Sequence, residues 1–158
     1  EGVQETTRFN YDETNTDWLT SIVFDADESG NGEKSIHYTY NAFNRLESVI
    51  YDLTPADGAI KNEDDTLNDD TYVVTYTYQN GGDSNLLKDV TQSDGSKISF
   101  TYYGNDKVST VTQGNPTDGN LTTYVYNDDN TTDITSAGQT VTVAFDSQQR
   151  LKCTTSVS

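Results

Sequence analysis

The sequence predicts an all-β fold: a single antiparallel up-and-down meander of about 10 to 12 short strands. Three observations predict it. Strand-forming Thr, Tyr, Val and Ile are abundant, Met is absent, and no stretch sets apolar residues at helical spacing. Short segments alternate aromatic or aliphatic residues with Thr and Ser. One unit also recurs along the chain. It is an alternating strand ending in an aromatic, a short polar turn that often carries a basic residue, and then an apolar pair.

The first copy runs from Phe9 and Tyr11 through the long turn 12–18 to Leu19 and Ile22. In the second, Ile36, Tyr38 and Tyr40 precede the turn Asn41–Arg45, followed by Leu46 and Val49. The third takes Tyr72, Val74, Tyr76 and Tyr78 through a long turn to Leu87 and Val90. Ile98, Phe100 and Tyr102 open the fourth, which turns at Tyr103–Lys107 and returns through Val108 and Val111. The fifth is the weakest: Tyr124 and Tyr126, the turn Asn127–Asn130, and Ile134 alone as return anchor. The sixth sets Val141, Val143 and Phe145 before Asp146–Arg150, then Leu151 and Thr154.

Alternation places the aromatics on one face, which is expected to bury. His37, Thr39, Thr75, Thr101 and Thr142 fall on the other, which is expected to be wet. The return anchors are out of phase: Leu19 and Ile22, Leu46 and Val49, Leu87 and Val90, and Val108 and Val111 are each three apart. Regular strands would point them to opposite sides, so either both faces are partly covered there or a repeated β-bulge resets the register, and the bulge is the expectation. Asp27–Gly32, Ser93–Gly95, Pro116–Gly119 and Ala137–Gly138 read as the tight links between hairpins. The span 53–71 is long and acidic, with six carboxylates against Lys61, and is expected to be loosely ordered. Residues 1–7 read as a flexible start, and 1–158 as one hairpin-repeat domain.

Only 32% of residues are hydrophobic, so tyrosine rings must supply much of the packing. A net charge of −17 repels phosphate backbones and anionic membranes, which argues against nucleic-acid partners. No segment is apolar enough to span a membrane as a helix. The single cysteine, Cys153, excludes an internal disulfide and reads as a small packing residue.

Chemistry-bearing patterns are few. His37, the lone histidine, falls on the Thr-bearing face and is expected to be solvated. No nucleophile elbow, P-loop, dinucleotide fingerprint or zinc motif is present, so no catalytic residue and no cofactor are assigned. A carboxylate pair of the glycosidase kind stays open, because acids are everywhere. Asp25, Asp27 and Ser29, followed by Gly30, match the opening of a calcium loop. The bidentate acid at its end is missing, leaving Glu33 as a substitute ligand, and a plain Asp/Gly turn is the competing reading. Trp18 and Tyr103 are the rings placed to stack on a sugar, against the simpler reading that they pack.

The string Tyr38–Val49, with Tyr40, Asn41, Arg45 and Leu46, resembles the YD (Rhs-type) hairpin repeat. That pattern is tyrosine, any residue, tyrosine, aspartate, two residues, glycine, arginine and leucine. Phe145, Asp146, Arg150 and Leu151 fit the same frame. Asn41 replaces the aspartate, and Asn44 and Gln149 replace the glycine. The chain is too short for the shell that long Rhs proteins wrap. It is more similar to small bacterial envelope lipoproteins with YD-like hairpins and a porin-like fold. That resemblance implies a secreted or cell-envelope setting with a lipid anchor upstream of residue 1, the leader having been removed, and it transfers no catalytic residue.

The expected sheet is curved into a barrel or an open half-barrel. The expected function is a non-enzymatic envelope or secreted module with a structural or binding role. The alternatives are a carbohydrate- or small-ligand-binding protein using an aromatic concave face, and a hydrolase with a carboxylate pair. The sequence does not identify the partner; a carbohydrate and an envelope protein are the expected kinds.

Overall fold

A computed structural model describes residues 6–24, 34–53, 60, 67, 71–114 and 119–157, the side chains of 156 and 157 excepted. The strands are β1 (Thr7–Tyr11), β2 (Leu19–Phe24), β3 (Lys34–Tyr40), β4 (Leu46–Asp52), β5 (Thr71–Tyr78) and β6 (Leu87–Gln92). They continue as β7 (Lys97–Tyr102), β8 (Val108–Gln113), β9 (Asn120–Tyr126), β10 (Thr131–Ser136), β11 (Gln139–Phe145) and β12 (Leu151–Val157). All belong to one antiparallel sheet whose order is the order of the chain, β1 to β12. That is the predicted meander. Because β1 and β12 are the two ends of this order, the closed-barrel form of the expectation is not realised. The only helix among the described residues is a 3₁₀ turn, Asn80–Gly82.

The expected bulge is present. In β1–β2, Tyr11 faces Leu19 while Asn10 faces Ser21, leaving Thr20 as the extra residue. Glu47, Ser109 and Lys152 occupy the same place in β3–β4, β7–β8 and β11–β12. The extra residue resets the phase, so both anchors of a return strand reach the aromatic face. Thus Tyr40 faces Leu46 and Tyr38 faces Val49.

The turns repeat as closely as the strands. Asn41 N–H donates to the Arg45 carbonyl, Tyr103 to Lys107, and Asp146 to Arg150, at 2.8, 2.8 and 2.9 Å. Each turn then places the residue before the basic one in the left-handed region: Asn44 (φ 64°), Asp106 (φ 63°) and Gln149 (φ 61°). This is the position where the YD pattern carries glycine, the residue that adopts positive φ without strain. Asn41 Oδ1 accepts from the backbone N–H of Phe43 and Arg45, and Asp146 Oδ1 from Gln148 and Arg150. Asparagine and aspartate therefore do the same work at the head of the turn.

The chain divides into two compact units, Glu1–Asn85 with Gln92–Asp94, and Leu86–Thr91 with Gly95–Ser158. In the first unit the aromatic face holds Tyr38, Val49 and Val74 in one cross-strand row. The opposite face is not wet, contrary to expectation: Ser21, Ser35, Ile50 and Asp52 on it are all buried. Burial of small polar groups there is matched by hydrogen bonds, such as Asn10 Nδ2 to Ser21 Oγ at 2.8 Å and Ser35 Oγ to Asp52 Oδ2 at 3.3 Å. His37 shares that face and is half-buried rather than solvated, with Nε2 2.9 Å from Ser35 Oγ.

Arg45 ties its turn to the next hairpin. Its guanidinium donates to the carbonyls of Gly82 (2.9 Å) and Asp83 (2.7 Å) and to Asn85 Oδ1 (3.0 Å), all in the turn of the following hairpin. Gly82, at φ 97°, also lies close to the turn that carries Arg45; a Cβ there would lie 3.1 Å from Asn41 Nδ2.

In the second unit the aromatic face carries Ile98 and Phe100, then Val111, Tyr124, Tyr126, Ile134, Val143 and Phe145. The other face is a ladder of short polar pairs, including Ser99 with Asp89, Thr101 with Thr110, and Thr142 with Asp133. Lys97 adds an ion pair to Asp89 at 3.1 Å. Cys153 is exposed, not packed, because β12 ends the strand order and pairs only with β11 among the described strands.

Candidate functional site

A recess of the second unit lies on the aromatic face of β9, β10 and β11. Cross-strand pairing puts Tyr126, Thr132 and Val143 in one row, and Tyr124, Ile134 and Val141 in the next. Tyr124, Tyr126, Ile134, Val143 and Phe145 line the floor of a groove of about 380 Å³, a size that suits a small ligand. Its polar rim comes from three turns: Lys107 from the first, Asn127 and Asn130 from the second, and Gln149 from the third. Asn130 (φ 60°) and Gln149 (φ 61°) both stand in the left-handed region, so the conformation that tightens each turn also sets a side-chain amide at the groove. The Phe145 N–H donates to the Asn130 carbonyl at 3.0 Å and ties β11 to the middle turn.

Tyr126 is the hinge of the arrangement. Lys107 Nζ lies 4.6 Å from the centre of its ring, a cation–π contact. The Tyr103 ring meets it edge-on, with centroids 6.1 Å apart and planes at 79°. Burial pushes the Tyr126 hydroxyl pKa up, and Tyr124 and Tyr103 add to the shift, so the phenol stays neutral at physiological pH. Beyond it lies a second, more open recess of about 440 Å³ between Tyr103, Gly104, Asn105, Val125 and Tyr126.

The groove contains no His, Cys, Asp or Glu among its lining residues. Asp133 lies on the far face of β10. Hydrogen bonds from Thr142 and Asn127 hold its carboxyl below the ordinary aspartate range. Asp12 and Asp146 are lowered too: Asp12 first by its bond from the Thr14 hydroxyl, Asp146 first by the Arg150 N–H. For Asp89, burial raises the pKa, but hydrogen bonds from Ser99 and Lys97 and the ammonium charges of Lys97 and Lys88 outweigh it, and the net shift is down. A general acid needs the opposite shift.

His37, Ser35 and Asp52 bring the three residue types of a hydrolytic triad together, but in the wrong order. Ser35 Oγ stands between the other two, 2.9 Å from His37 Nε2 and 3.3 Å from Asp52 Oδ2, whereas a triad sets the imidazole between the serine and the aspartate. Burial lowers the His37 pKa, against a smaller opposing pull from Asp52.

The two rings singled out in the sequence fall in different units. Trp18 belongs to the first unit, half-buried and stacked on Tyr40 with centroids 5.0 Å apart and planes at 26°. Tyr103 belongs to the second unit and borders the more open recess; its hydroxyl donates to the Tyr124 carbonyl at 2.7 Å. The calcium candidates Asp25, Asp27, Ser29 and Glu33 lie outside the described residues, as does most of the acidic span 53–71. Among the described residues no group of three or more His, Cys, Asp or Glu could hold a metal ion, and no helix is long and apolar enough to cross a membrane. Alternation alone places the groove residues Tyr124, Tyr126, Val143 and Phe145 on a common face. The contributions of Lys107, Asn127, Asn130 and Gln149 depend on how the turns align, which no short-range signal reveals.

No protein-family model matches the sequence, and no curated protein matches it significantly.

Proposed function

We propose that this chain is a non-enzymatic binding module that takes a saccharide in the groove of β9, β10 and β11. The observation that carries this reading is the lining itself: three aromatic rings beside side-chain amides and hydroxyls, with no titratable carboxylate or imidazole. Rings offer apolar faces to the C–H side of a pyranose, and Asn127, Asn130, Thr131 and Gln149 offer donors and acceptors to its hydroxyls. The lowered carboxylates weigh against the hydrolase alternative. The resemblance to YD-type envelope lipoproteins supports a secreted or cell-envelope setting, where glycans are available partners.

The test is a chemical-shift titration of the labelled chain with a panel of neutral and uronic oligosaccharides. Saturable shifts clustered at Tyr124, Tyr126, Asn130, Phe145 and Gln149 are expected. They should disappear in Tyr126→Ala and persist in Tyr51→Ala, an exposed ring of the first unit. An absence of shifts across the panel, or shifts centred elsewhere, would overturn the assignment.

A further inference from the structure

The hairpins do not merely resemble one another; they join in a constant register. In every inter-hairpin pairing defined among the described residues, the second return anchor faces the residue four places before the next terminal aromatic. Ile22 faces Ile36 ahead of Tyr40, Val49 faces Val74 ahead of Tyr78, and Val90 faces Ile98 ahead of Tyr102. Val111 faces Thr122 ahead of Tyr126, and Ile134 faces Val141 ahead of Phe145. Two features lock the joint. Tyr40 Oη donates to the Leu19 carbonyl, and Tyr78 Oη to the Leu46 carbonyl, each the first anchor of the preceding hairpin. Arg45 and Lys107 reach forward to the turn or the aromatic of the next hairpin.

The two ends of the strand order carry the halves of one more such joint. On β12 the second-anchor position is Thr154, the first anchor Leu151 is 65% exposed, and the basic turn residue Arg150 folds back on its own Asp146 at 2.7 Å. On β1 the residue four before the terminal aromatic is Thr7, while Phe9 and that aromatic, Tyr11, are 54% and 53% exposed. Charge is complementary although the chain as a whole is acidic. Arg150 and Lys152 sit at the β12 end, and Asp12, Glu13 and Asp17 in the turn after β1.

We propose that the chain associates head to tail with a second copy of itself, the outer edge of β12 pairing antiparallel with the outer edge of β1 of the next copy. The recurring joint sets Thr154 opposite Thr7 and Cys153 opposite Arg8. Cys153 and Arg8 then repeat the interior pairs Ser21–His37, Ser48–Thr75 and Thr110–Thr123. Tyr11 of the next copy takes the position from which Tyr40 and Tyr78 bond to a first anchor, here the Leu151 carbonyl. Arg150 turns from Asp146 to the acidic turn of that copy, as Arg45 does within the chain. The arrangement sets the Arg8 cation opposite the neutral Cys153. The contact is heterologous, so it propagates into rings or filaments rather than stopping at a two-fold dimer.

Sedimentation of the unmodified chain over a wide concentration range should show association; a single monomer boundary throughout would overturn the proposal. The register is tested with Arg8→Cys, an exposed position, oxidised with the glutathione couple. Facing Cα atoms in an antiparallel pair lie within disulfide reach. A ladder of oligomers is expected, with peptide mapping showing disulfides from the thiol introduced at position 8 to Cys153 of the next copy. Phe9→Cys directs its thiol to the other face and should give no disulfide to Cys153. Linkage only through Cys153 to Cys153, or an equal ladder from Phe9→Cys, would contradict the head-to-tail register.

Discussion

The Tyr40 hydroxyl donates to the backbone carbonyl of Leu19 at 2.9 Å, across the joint between two consecutive hairpins. Tyr78 repeats the bond to Leu46 at 2.8 Å. The terminal tyrosine of the motif thus has two tasks. Its ring faces the first return anchor of its own hairpin, as Tyr40 faces Leu46, and its hydroxyl reaches a backbone carbonyl of the preceding hairpin. Tyr40→Phe and Tyr78→Phe should each cost about 1 kcal/mol, the net worth of a neutral hydrogen bond. Chemical denaturation should give matching losses for the two variants. No loss in either would mean the bonds are incidental.

Gly82 tests the clamp between turns. Its φ of 97° and the 3.1 Å approach of Asn41 Nδ2 to a built Cβ both oppose a side chain. Gly82→Ala should therefore lose about 1 to 2 kcal/mol in urea unfolding. Arg45→Ala removes the bonds to the same turn, and the double variant should lose less than the sum of the two.

Gln149 holds a left-handed conformation at φ 61° without the local hydrogen bonding that helps Asn or Asp there. Gln149→Gly should raise stability by up to about 1 kcal/mol, and Gln149→Val should lower it by more than that. Because Gln149 also stands at the groove, the glycine variant should weaken ligand binding while it stabilises the fold. Thermal unfolding and the saccharide titration read the two effects separately.

Acid should destabilise the protein in two steps. The folded-state pKa of His37 is lowered, so the unfolded chain binds a proton first, and stability falls as pH drops below about 6.5 toward the folded value. The carboxyl of Asp146 is also lowered, so its contribution is complete above about pH 4 and is lost as pH falls through the folded pKa. Asp146→Ala should therefore be less stable than the parent at about pH 7, with the gap narrowing as pH falls below about 4. An NMR titration of the imidazole should give a midpoint below that of free histidine. A midpoint at or above it would contradict the half-buried site.

The hairpin frame is legible in the sequence because it is local. Tyr40, the five-residue turn and Leu46 lie within one reading window, and the three-residue spacing of Leu46 and Val49 encodes the bulge directly. Ala137 and Gly138 turn at φ 50° and 77°, as a two-residue link requires. What escapes such reading is set by pairing between distant residues. Alternation puts His37 among threonines and so suggests a solvated ring, yet Ser35 and Asp52, buried beside it, belong to two different strands. The groove escapes for the same reason: Lys107 and Gln149 meet around Tyr126 only through the order of the strands. The exposure of Cys153 follows from its strand's place at the end of the sheet, which composition does not record.

Successive hairpins join in one register, with a bulge in β1–β2, β3–β4, β7–β8 and β11–β12 and regular pairing in β9–β10. Cross-strand nuclear Overhauser contacts in the uniformly labelled chain measure it directly. Contacts pairing Tyr38 with Val49, Phe100 with Val111, Tyr124 with Ile134 and Val143 with Thr154 are expected. Contacts displaced by one residue in any hairpin, such as Tyr38 to Ser48 or Phe100 to Thr110, would contradict it.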